Sequence, residues 1–414
     1  MAYICRENLA PLRIIILTQY FPPETGAPQN RLFELAKRLQ QDGCEIQVLT
    51  AMPNYPNNEI DPAYRGVWFR QEDMDGMRVL RSWIYVSKDK NSVVKRLLNY
   101  FSFTFTSLLF GLFYLRRSDI LVCESPPLFL GITGAWLARL KGAKFVFNVS
   151  DLWPESVEKL GVMNNQFLLN RAYGLERWLY RGSALITGQT QGIVESISSR
   201  HPDKCVHWLP NSCDLTLFDP TKYDPRPEDG RFVCLYAGII GIAQGLDTVL
   251  EAADLLRDVP HITLQLAGNG PELERLQTKA TAMQLTNVEF LGGFPKAKMP
   301  GVIAKADMAL VPLRKLDLFL GAIPSKIFEN CAMEKPLLLG VEGEAKELFI
   351  HTADAGWAYE PENAAAMAAA IRDAAANPEH AKACGQRGRA YVMQNFERGA
   401  LAAGLLEQFR KVLS

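Results

Sequence analysis

The chain has 414 residues, which at roughly 100–200 residues per domain is enough for two or three domains, each with its own core. Hydrophobic residues make up 48% and charged residues 22%, which excludes a disordered or fibrous chain. The 45 basic residues balance 45 acidic ones, so a globally basic nucleic-acid binder is excluded and any charged patch must be local.

Residues 1–11 lack the apolar stretch of a signal peptide and read as a short leader. Arg13–Thr18 (RIIILT) is a β-branched run suited to a buried parallel strand. A loop with Pro22, Pro23, Gly26 and Pro28 follows, then a helix over Gln29–Gln41 closed by Gly43, then a strand at Glu45–Thr50. Strand, loop, helix and strand make a βαβ unit. The rhythm repeats with strands at Ile120–Cys123, Lys144–Val149, Ala184–Gly188 and Val206–Leu209, and with helices over Leu128–Lys141 and from Gln191.

Tyr223–Gly230 (YDPRPEDG) reads as a linker. Strands then fall at Phe232–Ala237, Ile262–Ala267, Val288–Leu291, Met308–Pro312 and Pro336–Gly340. Helices fall at Leu246–Leu256, Glu272–Met283, Pro324–Met333 and Ala364–Asn377, and an amphipathic segment from about Gly399 to Leu413 packs back on the body. The expected fold class is α/β, two Rossmann-like domains facing each other across a cleft. We expect an N-terminal domain over 12–215, a second domain over 231–392, and a C-terminal helix over 393–414 that returns to the first domain, the two domains putting a nucleotide and a second substrate between them.

Four loops could carry chemistry. Tyr20–Arg31 (YFPPETGAPQNR) places Gly26 before a helix, where backbone N–H groups can approach an anion; it could also be an ordinary Pro- and Gly-rich connection. Phe147–Ser156 (FNVSDLWPES) puts Asp151 and Trp153 at a strand's carboxyl end, either as active-site groups or as a helix cap and a core residue. Tyr236–Asp247 (YAGIIGIAQGLD) carries Gly238, Gly241 and Gly245; it is not G-x-G-x-x-G, so it suits a diphosphate on a helix N-terminus or a tight turn. In Leu310–Pro336, Ser325 can cap a helix whose first turn holds Lys326. A cation there opposes the helix dipole, so an anionic partner would explain it, and Glu329 lies one turn on. Lys326 and Glu329 could hold a phosphate and a ribose diol, or form a surface ion pair.

Gly268-Asn269-Gly270-Pro271 could touch a nucleotide or cap a helix. Asp73-Met74-Asp75 followed by Gly76 reads as a hairpin turn, not a metal site. The eight cysteines contain no C-x-x-C and read as buried free thiols. All five histidines lie at or beyond His201, so the first half supplies no catalytic imidazole. Between Leu97 and Leu115 no residue is charged. Lys88, Lys90, Lys95 and Arg96 precede this run, and Arg116 and Arg117 follow it. A span would split the sheet, which leaves a buried helix of the domain or a monotopic face on an anionic bilayer.

The ordered set TQYFPPETGAPQNR (Thr18–Arg31), MPNYP (Met52–Pro56), DLWPES (Asp151–Ser156), LPNSCD (Leu209–Asp214), YAGIIGIAQGLD (Tyr236–Asp247) and PSKIFENCAMEKP (Pro324–Pro336) resembles family 4 of the retaining glycosyltransferases, of GT-B fold, and in particular its WbuB-type subgroup. The resemblance covers about Leu12 to the C-terminus. It implies a UDP-sugar donor and retention at the anomeric carbon, with no cofactor and no bound metal. It also implies a polyprenyl-diphosphate-linked acceptor in bacterial surface polysaccharide synthesis, the transferred sugar being N-acetylated, as in N-acetyl-L-fucosamine. The enzyme would work in the cytoplasm, peripherally on the inner membrane, with a homo-oligomer left open and no nucleic-acid partner.

By the same resemblance Asp151 and Lys326 are catalytic. The resemblance puts donor contacts on Gly26, Ala27, Lys326 and Glu329, and to these we add Gly238, Gly241, Gln244, Gly270 and Arg314 from the loops themselves. We assign Glu24, Tyr55, Arg81, Lys95, Arg96, Arg116 and Arg117 to acceptor or membrane. The chain departs from the family at Gly321, where the first Glu of E-x7-E would fall. Ile239 and Gln244 stand where many members have basic residues, and no His precedes His201. A UDP-sugar epimerase of the same fold, or a non-catalytic nucleotide-binding assembly subunit, are the alternatives.

Overall fold

The computed structural model describes residues 11–24, 26–55, 58–87, 93–159, 165–224, 226–227 and 229–414; the leader, Cys5, Lys88 and Lys90 lie outside these. The chain forms two compact units, residues up to Pro210 together with Arg398–Ser414, and Asn211–Glu397.

The first unit runs β1 (Arg13–Leu17), α1 (Ala27–Gln41), β2 (Glu45–Ala51), β3 (Phe69–Met74), β4 (Met77–Ser82), α2 (Val93–Tyr114), β5 (Ile120–Ser125), α3 (Leu130–Lys141), β6 (Lys144–Val149), α4 (Glu155–Lys159), α5 (Gln166–Gly182), β7 (Leu185–Gly188), α6 (Gln191–Arg200) and β8 (Val206–Trp208). Its sheet has the order β3-β4-β2-β1-β5-β6-β7-β8, parallel except for β3. Helices cover both faces, which is why β1 is buried from Ile14 to Leu17 and reads as an unbroken apolar run. Asp75 and Gly76 have φ of 53° and 81°, the left-handed pair of a type I′ hairpin turn, and the Gly76 amide donates to Asp73 Oδ1 at 3.0 Å. The D-x-D is thus turn chemistry.

The second unit runs β9 (Phe232–Ala237), α7 (Asp247–Leu255), β10 (Ile262–Ala267), α8 (Leu273–Ala282), β11 (Val288–Gly292), α9 (Met299–Ala304), β12 (Met308–Pro312), α10 (Ser325–Ala332), β13 (Leu337–Gly340), α11 (Glu344–Lys346), β14 (Gly356–Ala358), α12 (Ala364–Ala376) and α13 (Pro378–Asn395). Its sheet is all parallel, in the order β11-β10-β9-β12-β13-β14. The last helix, α14 (Arg398–Leu413), belongs to the first unit, burying Ala402, Leu405 and Phe409 with Leu32, Ala36 and Leu39 of α1.

The stretch read as a linker packs on the second unit. Arg226 pairs with Asp307 at 2.7 Å, and Asn211 donates to the Ile323 carbonyl at 3.4 Å. The unit boundary therefore falls at Pro210. The described cysteines are free thiols and buried, except Cys205, which is exposed because it lies in the loop between α6 and β8.

Candidate active site

In each sheet the strand order reverses beside the first strand, between β1 and β5 in the first unit and between β9 and β12 in the second. Crossovers leave these points in opposite directions, so the loops at the strands' carboxyl ends part and leave a crevice. The segments singled out in the sequence follow β1, β6, β9, β10 and β12.

In the second unit the β9 and β10 loops hold each other by backbone. Gly238 N donates to Ala267 O at 2.9 Å, Ile240 N to Asn269 O at 2.9 Å, and Glu272 N to Ile240 O at 3.1 Å. A Cβ on Gly268 would lie 1.8 Å from Gly238 O, and one on Gly270 would lie 2.2 Å from Ile240 O. Gly270 is therefore required by the packing of its Cβ side against Ile240, while its backbone stays partly exposed beside the β9 loop. Gly241 differs. A Cβ there would meet only Ile239 Cγ2 at 3.6 Å, so this stretch of backbone is open to close approach.

Lys326 comes from the first turn of α10. Ser325 is the first residue of that helix and makes no side-chain cap, contrary to expectation, because Pro324 takes the cap position. The Lys326 ammonium lies 3.7 Å from the centroid of the Tyr236 ring. A Cβ on Gly238 would come within 2.8 Å of Nζ, so glycine there, at φ 148°, makes room for the lysine. Desolvation by the surrounding protein lowers the Lys326 pKa to about 7, and the Glu329 carboxylate one turn along opposes the shift. The Tyr236 hydroxyl donates to Ile239 O at 2.5 Å, tying the ring to the β9 loop.

Arg314 follows β12. Its amide donates to Ala243 O at 3.0 Å and its guanidinium lies 3.6 Å from Glu362. With Gly241, Gly245, Thr248 and Arg275 it lines a recess of about 210 Å³. Gln244 sits in a 3₁₀ turn over Ile242–Gln244, its amide bonded to Gly241 O at 3.1 Å. The structure thus brings Gly238, Gly241, Gln244, Arg314, Lys326 and Glu329 to the ends of β9 and β12.

In the first unit Gly26 is the N-cap of α1 and has no side chain with which to cap the first turn, where an anion could meet the backbone amides. Ala27 opens that helix. Asp151 accepts a hydrogen bond from the Ser156 hydroxyl of α4 and remains partly exposed after β6. The Glu24 carboxylate is buried, accepting from the amides of Asn54 (2.7 Å), Tyr55 (2.8 Å) and Phe21 (3.2 Å). Burial raises its pKa against those three bonds. Glu24 is therefore a brace between the β1 and β2 loops. Tyr55 stands edge-on to Tyr20 at 5.9 Å, and both Glu24 and Tyr55 line a recess of about 150 Å³ with Glu59 and Asp61.

Arg81 is also corrected. It is 0% exposed and spends its guanidinium on Glu72, the Pro22 carbonyl and, at 3.4 Å, the Ala51 carbonyl. It faces neither acceptor nor membrane. Lys95 and Arg96 lie near the start of α2, and Arg116 and Arg117 just beyond its end.

A network absent from the sequence reading lies at the ends of β5, β6 and β7. Glu124 is buried and accepts from Arg31 Nη2 at 2.5 Å, from Asn148 Nδ2 and from Ser150 Oγ. Arg31 also reaches Ser150 Oγ at 2.7 Å, and Thr187 donates to Asn148 Oδ1 at 2.5 Å. Arg31 so ties the start of α1 to the residue before Asp151. The available signal was Glu124 itself, a lone acid closing the apolar strand ILVCES.

The profile described as "Glycosyl transferase 4-like domain" matches residues 26–211, and the one described as "Glycosyl transferases group 1" matches residues 220–391. The chain belongs to glycosyltransferase family 4. It is 28% identical over 388 residues to WcaI of Escherichia coli strain K12, named as a colanic acid biosynthesis glycosyl transferase, covering 89% of this chain and 93% of that one. It is 26% identical over 268 residues to the glycosyltransferase WbjE of Pseudomonas aeruginosa, covering 62% of this chain and 66% of that protein.

Among solved structures, sucrose-phosphate synthase of Thermosynechococcus elongatus superposes with a TM-score of 0.74 at 17% identity, covering 97% of this chain and 99% of that one. HepE of Anabaena, in complex with UDP and glucose, superposes with a TM-score of 0.70 at 15% identity, covering 97% and 100%. These neighbours give the fold, GT-B, and the glycosyltransferase is an enzyme that transfers a sugar.

Proposed function

We propose that this glycosyltransferase moves an N-acetylated sugar from a UDP-sugar to a polyprenyl-diphosphate-linked acceptor, with retention, in bacterial surface polysaccharide synthesis. The working place is the cytoplasmic face of the inner membrane, and the subgroup is the WbuB type. The observation that carries the donor half is Lys326. An ammonium in a desolvated setting, against Gly238 and one turn from Glu329, with open glycine backbone at Gly241 in the same β9 loop, suits a diphosphate and a ribose. The UDP held by HepE and the polysaccharide named for WcaI support the same reading.

In this reading Lys326 and the β9 loop amides stabilise the charge that grows on the leaving diphosphate. Glu329 takes the ribose hydroxyls. Asp151, beside the end of β6, contacts the acceptor, and the leaving phosphate takes the acceptor proton in front-face attack. Trapping a covalent glycosyl-enzyme on Asp151 would overturn that last step. A thermal-shift panel of UDP, GDP, ADP and NAD with EDTA present tests the donor. At about 100 times Kd a ligand stabilises by about 2.7 kcal/mol. We expect a UDP-selective rise that falls in Glu329→Gln, and preference for another nucleotide would change the donor class.

A further inference from the structure

Helix α2 is inverted relative to an ordinary surface helix. Its polar side chains point into the first unit: Ser107 is fully buried, Thr106 donates to Trp83 O at 2.5 Å, and Asn99 donates to Tyr85 O at 2.6 Å. Phe103 is buried in the core and Leu108 packs against it, but many of the helix's other large apolar side chains point out. Val94, Leu98, Phe101, Phe105, Leu109 and Phe113 recur every three or four residues and are all exposed, Phe105 at 68% and Phe113 at 71%. The stripe continues onto α3, where Trp136 and Leu140 are about half exposed. The two helices are joined where Thr133 donates to Thr104 O at 2.6 Å and Lys141 to Leu112 O at 2.7 Å. Apolar surface of this extent on a water-soluble face is unusual and marks an interaction site.

Charge selects the occupant. Residues 91–117 and 125–150, which contain α2 and α3, hold no Asp or Glu, whereas Lys95, Arg96, Arg116, Arg117 and Arg139 fringe the stripe. Two copies of this face would set like charges together, but an anionic lipid surface would complement it. Although α2 is long and apolar enough to cross a membrane, it is the crossover from β4 to β5 of one sheet, and its inner polar bonds are to that sheet's own connections.

We infer that the outward face of α2 and α3 docks flat on an anionic phospholipid bilayer, and that the N-terminal half of α2 puts the membrane beside the Asp151 loop. The connection is direct. The Phe101 ring lies 4.6 Å from Phe129, and Phe129 lies 5.4 Å from Trp153, two residues from Asp151. Gln19, at the end of β1, donates to Asn99 at 2.9 Å. An acceptor whose lipid stays in the bilayer would then present its sugar at the strand ends of the first unit. That second part rests on the lipid-linked acceptor proposed above.

The test is co-sedimentation of the full chain with phosphatidylglycerol vesicles and with phosphatidylcholine vesicles, for the wild type and for Phe105→Ser/Phe113→Ser. Circular dichroism confirms the fold, since both positions are exposed. We expect binding to the anionic vesicles that weakens with salt and falls at least tenfold in the double variant, while transfer to a water-soluble short-chain acceptor is unchanged. Failure of the wild type to bind anionic vesicles, or equal binding by wild type and variant, overturns the docking face. A wild-type dimer that the substitutions turn into a monomer, without vesicle binding, would assign the face to self-association and overturn it too. Vesicle binding without transfer to any acceptor would leave docking standing and remove the lipid-linked acceptor instead.

Discussion

If a diphosphate binds the ammonium form of Lys326, nucleotide binding must take up a proton. With a pKa of about 7 in the free protein, half of the molecules carry the ammonium at pH 7. About 3% carry it at pH 8.5, and because apparent affinity scales with the competent fraction, affinity should fall about 15-fold between those values. The nucleotide's terminal phosphate, with a second pKa near 6, is already largely ionised across this window. Tyr236, whose pKa burial raises, stays neutral.

Calorimetric titration of UDP in buffers of different ionisation enthalpy reads the uptake directly. We expect about half a proton at pH 7 and nearly one at pH 8.5. The folded pKa lies below the unfolded value of 10.5, so the unfolded chain binds more protons between pH 7 and 10.5 and stability from this group rises with pH there. Charge burial costs at most about 5 kcal/mol below pH 7, less for the partial exposure of Lys326. Lys326→Met should therefore stabilise the protein at pH 6 while removing nucleotide binding. The same pH slope of affinity in Lys326→Arg, whose guanidinium does not titrate here, would refute the assignment.

Gly241→Ala and Gly268→Ala should separate binding from folding. The first adds a methyl into open space and should leave stability within about 0.5 kcal/mol while weakening UDP at least tenfold by calorimetry. The second drives a Cβ into the Gly238 carbonyl at φ 155° and should cost about 3 kcal/mol or more in urea denaturation. Arg81→Leu takes the buried guanidinium from Glu72, which keeps Tyr64 and Arg70, and from the Pro22 carbonyl, and should cost about 3 kcal/mol, with UDP affinity per folded molecule unchanged. Asp151→Asn should raise the acceptor KM about tenfold or more, with donor KM unchanged in a coupled UDP-release assay.

Buried parallel strands announce themselves, and Lys144–Val149, Ile262–Ala267 and Met308–Pro312 form at the expected residues because β-branched apolar runs bounded by glycine or charge leave little else. Helix α5 went unread although its buried positions, Leu169, Ala172, Glu176, Leu179 and Tyr180, keep the helical period. Lys326 and Glu329 were legible because they share one helix turn. The Arg31–Glu124–Ser150 network was not, since its members meet only once the order β1-β5-β6 is set. Arg81 misled because arginine usually lies at the surface. Its burial depends on the β3–β4 hairpin, which places Glu72 opposite Val79 and so diagonal to Arg81. In α2 the apolar run was plain, but a helix apolar nearly all round does not say which face turns outward.

The most direct measurement is mass spectrometry of a short-chain polyprenyl-diphosphate sugar incubated with the enzyme and a panel of UDP-sugars, with UDP release followed in parallel. We expect the acceptor to gain the mass of one N-acetylated sugar, with one UDP released per transfer and the anomeric configuration of the donor kept in the proton NMR spectrum. Consumption of a UDP-N-acetylhexosamine with no acceptor present would contradict the account in favour of an epimerase. Absence of transfer from every donor that binds would contradict it in favour of an assembly subunit.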